Sequence, residues 1–69
     1  MLYNIQLWKI DNGKDTELLF DKSCKTKATK NKYYLQALKL FKQIKATNCH
    51  QRLAIDLREN GKLVGFLEM

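Results

Sequence analysis

One histidine, two cysteines and three glycines are all that this 69-residue chain offers of the residues that most often carry chemistry. His50 stands beside Cys49, and neighbours on a strand point to opposite faces, so the two do not make a nucleophile and its base. Cys24 is too remote along the chain to help. Cys24, Cys49 and His50 also lack the number and spacing of metal ligands, so no metal is expected. None of the glycines belongs to a phosphate-cradling loop, and no pair of carboxylates falls in a plausible cleft. The chain is therefore expected to be no enzyme and to hold no cofactor.

Acidic residues are missing from half of the sequence. Between Lys22 and Ile55 there is not one Asp or Glu, while the same window holds eight lysines and Arg52. The formal charge is +6, and arginine supplies only two of the thirteen basic residues. Such asymmetry fits a surface that meets anions, or simply a lysine-rich solvated face. Long apolar runs are absent as well, so no segment is expected to cross a membrane. The stretch MLYNIQLWKI has no basic region followed by an uninterrupted apolar one, which argues against a signal peptide and for a cytoplasmic protein.

What is present is a hydrophobic content of 45%, too high for a disordered tail, in a chain sized for one small domain. Its only clear helical period runs over about 28–46, where Tyr34, Ala37, Leu38, Phe41, Ile44 and the Lys45 stem recur at spacings of three and four. Thr26 or Thr29 is expected to cap its start and Asn48 to stop it. Lys45, in the last turn, suits the helix dipole. This helix separates Cys24 from Cys49 by far more than the roughly 7 Å a disulfide spans, so free thiols in a reducing compartment are expected.

A hairpin is expected on either side of the helix, over 2–22 and 50–69. Asn12-Gly13 and Asn60-Gly61 suit two-residue turns in which both central residues take positive φ. Simple pairing about these turns sets Leu7 against Leu18, Ile5 against Phe20, Leu57 against Val64 and Ile55 against Phe66, apolar against apolar. The fold class read from this is α+β, in the order ββαββ, with a four-stranded sheet and one helix packed on one face. The charged second strand suits an edge, giving strand order 2-1-3-4 or 2-1-4-3. The expected core is Tyr3, Ile5, Leu7, Leu18, Phe20, Leu38, Phe41, Ile44, Leu53, Ile55, Leu57, Val64 and Phe66.

One helix covers one face of a sheet, so the other face is the first candidate site. Trp8, Ile10, Leu19, Ala54, Leu63, Leu67 and Met69 are expected there, rimmed by Glu17, Arg52 and Arg58. From these, Trp8, Leu19, Arg52, Arg58, Leu63 and Leu67 are the candidate partner-binding residues, because Trp and Arg recur at interface hot spots. The same face also suits a homodimer sandwich. Lys22, Lys25, Lys27, Lys30 and Lys32 crowd the start of the helix, against the preference of its dipole, and with Lys39 and Lys42 they form a candidate anion or nucleic-acid site. Tyr33 or Trp8 would add stacking.

The hairpin–helix–hairpin plan at this size is similar to that of many small accessory proteins, phage-encoded and mobile-element regulators among them, a likeness of size and shape with no motif behind it. The expected function is that of a small basic regulator, inhibitor or adaptor that docks a protein or nucleoprotein partner through the uncovered sheet face. The alternative is a weakly sequence-specific nucleic-acid-binding protein that uses the lysine-rich side of the helix.

Overall fold

A computed structural model describes all residues, Met1–Met69, and contains one sheet and one helix. Strands β1 (Tyr3–Asp11) and β2 (Lys14–Cys24) form the first hairpin, α1 spans Lys27–Thr47, and β3 (Arg52–Glu59) and β4 (Lys62–Glu68) form the second. All pairings are antiparallel and the strand order is β2-β1-β3-β4, the α+β ββαββ arrangement with the charged β2 at one edge. Both turns are built as their chemistry requires. Asn12 and Gly13 have φ of 56° and 77°, Asn60 and Gly61 of 51° and 82°, the positive values that an Asn-Gly loop accepts at least cost. The second turn is also tied to the first strand, since Asn60 N–H donates to the Leu2 carbonyl at 2.7 Å and Leu2 N–H to Asn60 Oδ1 at 2.9 Å.

The helix starts and stops where its end residues satisfy orphan backbone groups. Thr26 is the N-cap, its hydroxyl accepting the Thr29 N–H at 3.3 Å. Asn48 is the C-cap, its N–H donating to the Ile44 carbonyl at 2.8 Å. Beyond it, Lys45 Nζ reaches the Cys49 and Gln51 carbonyls at 3.0 and 2.9 Å, which lets a cation serve the negative end of the helix. Asn48, Cys49 and His50 make the turn that leads to β3, so His50 is not the first residue of that strand. Cys24 and Cys49 are unbridged.

Ile5 and Leu7 of β1, Leu53 and Ile55 of β3 and Ala37 and Phe41 of α1 form the buried centre. Tyr33, Tyr34, Leu38, Leu40 and Ile44 flank it from the helix, and Leu19, Phe20, Leu57 and Leu67 from the sheet. Three of the expected core residues are elsewhere: Leu18, Val64 and Phe66 are exposed. The cause is register. Bulges leave Thr16 and Leu19 in β2, and Val64 in β4, as extra residues without a direct partner. Each insertion shifts the pairing by one. Leu7 therefore faces Phe20, Trp8 faces Leu18, Leu57 faces Gly65, Ile55 faces Leu67 and Asp56 faces Phe66. The bulged register still sets apolar residues together on the helix side, which is why alternation alone does not separate it from the simple one.

Candidate functional site

On the sheet face away from the helix, hydrogen-bonded polar side chains stand among the apolar residues expected from the sequence. Because directly paired residues share a face, Asn4, Gln6 and Trp8 of β1 stand with Ala54, Asp56 and Arg58 of β3, Leu18 of β2 and Phe66 of β4. Gln6 Oε1 accepts two bonds, from Trp8 Nε1 at 3.1 Å and from Arg58 Nη1 at 2.9 Å. The other arm of the guanidinium, Nη2, lies 3.3 Å from Asp56 Oδ2. At one end Asn4 Nδ2 donates to Asp21 Oδ1 and Ser23 Oγ, at 2.8 and 3.0 Å. At the other, Arg52 pairs with Glu68. Three separate sets of side-chain bonds thus tie β2 to β1, β1 to β3 and β3 to β4 across this face.

Asp56 is the unusual member. It is only 5% exposed although no helix covers it, and its Oδ1 is buried without a hydrogen-bond partner. Desolvation pushes its carboxyl above the ordinary value of 3.8, the neighbouring Asp15 adds to this, and Arg58 opposes it by charge and hydrogen bond. Ile10 and Ala54 are buried on the same face. Around this polar floor stand half-buried Trp8 and exposed Leu18, Leu63 and Phe66.

Of the six residues expected to form this surface, Trp8, Arg52, Arg58 and Leu63 are on it or at its rim. Leu19 and Leu67 are not. Both pack against the core on the helix side, because the bulges at Thr16 and Val64 reverse the facing of the residues that follow, and a second bulge at Leu19 returns Phe20 to the helix side. Leu18 and Phe66 take the places those two were expected to hold. No signal of alternation could have shown this. The pairing of Gln6 with Trp8 and Arg58 does have a trace in the sequence, since residues two apart on a strand share a face.

The lysines are more scattered than their spacing suggests. Lys22, Lys25, Lys27 and Lys32 are exposed around the start of α1, where no acidic residue occupies the first turn. Lys30 turns away from that end, its Nζ 5.7 Å from the centre of the Tyr3 ring in a cation–π contact. Lys39 and Lys42 are exposed farther along the helix. Both ion pairs of the protein use arginine, so none of the lysines has a carboxylate partner. No group of three or more His, Cys, Asp or Glu side chains is placed to hold a metal ion, and no helix is long and apolar enough to cross a membrane. Comparisons with protein-family models, with curated proteins and with solved structures find no match to this chain.

Proposed function

We propose that this chain is a non-enzymatic binding protein, a small regulator, inhibitor or adaptor, that docks a protein or nucleoprotein partner through the uncovered face of its sheet. The observation that carries the reading is the Trp8–Gln6–Arg58–Asp56 lattice. A polar network held in fixed geometry, with Trp8, Leu18, Leu63 and Phe66 standing around it, has the mixed composition of an interface centre, where Trp and Arg contribute most. Holding the side chains in place before a partner arrives lowers the entropy lost on binding. The unpartnered lysines would speed the approach of an anionic partner without deciding its identity. Unbridged cysteines suit a reducing, cytoplasmic setting.

With a partner in hand, Trp8→Ala and Arg58→Ala should abolish binding, while Lys27→Glu with Lys30→Glu should chiefly slow association. The second reading, weakly specific nucleic-acid binding, rests on the acid-free helix and its unpaired lysines. It predicts the reverse pattern and is tested on duplex DNA, single-stranded DNA and RNA across a salt series. Affinity that falls by orders of magnitude between about 50 and 200 mM salt would put the lysines first. Molar mass in the same buffers would show whether the sheet face pairs with itself.

A further inference from the structure

The helix does not cover the inner side of the sheet evenly. Its backbone lies against β1, β2 and β3 and comes near no part of β4. That leaves β4 open along its outer edge and joined to the core only through Leu67, with Leu63 48%, Val64 49% and Phe66 57% exposed. Between α1 and β4 runs a groove of two hollows of about 300 and 400 Å³ that share Leu67. Tyr34, Leu38 and Phe41 form its helix wall, and Leu57 and Leu67 belong to its sheet side. The apolar strip continues up the helix flank to Leu35, with Lys39 and Lys42 beside it.

We propose that this groove binds an extended acidic segment of a partner protein, which adds to the sheet as a fifth strand alongside β4. Three observations select that occupant. Leu53 and Met69 exchange both of their backbone hydrogen bonds, so in the alternation of an antiparallel ladder Phe66 and Glu68 present their N–H and C=O groups outward. An extended chain satisfies such groups; a helix does not. Next, inward side chains of an added strand would enter an apolar groove, which suits a peptide better than a nucleic acid. Finally, exposed Lys42 lines the groove and exposed Lys39 stands on the helix flank beside it, and α1 has no acidic residue to balance them. Lys45, which also lines the groove, is already held by two carbonyls. The opposite edge offers no equivalent, since β2 carries Lys14, Asp15, Glu17, Asp21 and Lys22 and is bulged twice.

The test uses the full chain, isotopically labelled, and end-blocked peptides in which leucine alternates with glutamate or with lysine. The glutamate peptide should shift and protect the Phe66 and Glu68 amides and perturb the Leu38 and Leu67 methyls. Lys42→Glu should weaken it by roughly tenfold, and the charge-matched Lys14→Glu by less than about twofold. Phe66→Pro removes an outward N–H that β3 does not use and should abolish binding; should that variant misfold, amide protection in the unaltered chain decides the same point. Equal binding of the lysine peptide, or no perturbation along β4, would overturn the proposal. So would the same shifts from a single-stranded oligonucleotide of matched charge, which would assign the groove to nucleic acid. Protection of the same amides in the free protein, with a mass of two chains, would assign the edge to a second copy.

Discussion

The two hairpins share a design and differ in what protects them. Each has an Asn-Gly turn with both central residues at positive φ, and each outer strand is bulged. In the first hairpin the helix packs near β2, Leu19 and Phe20 join the core, and the remaining edge is guarded by charge. In the second, Leu67 reaches the core while Leu63, Val64 and Phe66 stay exposed on a strand without a charge between Lys62 and Glu68. A small domain with one helix cannot cover four strands, and here the uncovered strand is the apolar one. That is the opposite of what protection against aggregation favours, and it directs attention to β4 as a surface kept for contact.

The difference can be broken most forcefully with paired phenylalanines. Phe20→Ala should cost about 2 kcal/mol of stability and Phe66→Ala no more than about 0.5, read from urea denaturation at equal protein concentration. Equal costs would mean that β4 is as well packed as β2. Gly13→Ala and Gly61→Ala should each cost about 1 to 2 kcal/mol, because both demand a left-handed backbone. A large inequality there would locate the asymmetry in the turns instead of the cover.

Smaller effects concern the lattice that joins the hairpins. The Asp56 carboxyl should titrate above 3.8 when followed by carboxyl-carbon NMR, and Arg58→Ala should raise it further by removing the opposing charge. A raised carboxyl binds its proton more tightly folded than unfolded. Its contribution to stability is therefore full at low pH and declines as pH rises upward from 3.8 through the folded value. Asp56→Asn should flatten that slope. The smallest expected effect is on hydrogen exchange: the Phe66 and Glu68 amides should exchange well ahead of those at the centre of β1, with no change in stability needed to see it.

Element order, turn positions and helix caps were legible because each depends on a few neighbouring residues. Asn-Gly makes its own turn, Thr26 bonds within its own first turn, and the helical stripe places Ala37 and Phe41 inward. Facing along β2 and β4 was not legible, since it depends on insertions at Thr16, Leu19 and Val64 that leave apolar residues opposite apolar ones in either register. For the same reason Trp8, Arg52, Arg58 and Leu63 were placed correctly on the open face, while Leu19 and Leu67 were exchanged with Leu18 and Phe66. The Gln6 bridge escaped notice because Gln6 reads as an ordinary polar position until Arg58 is seen across from it.

The bulges also bear on how this surface can change over time. Val64 sits between a stretch read in one parity and a stretch read in the other. Loss of that single residue would leave Gly65, Phe66 and Leu67 opposite Leu57, Asp56 and Ile55 and would only remove the bulge. The face is redrawn whole only if the bulge is lost at unchanged strand length, for Val64 would then pair with Leu57, and Phe66 would turn to the helix side and Leu67 away from it. The extra residue is thus a fixed spacer: a strand that carries it as a bulge and a strand that lacks it present the same face, and only a strand that takes it into the ladder presents the other.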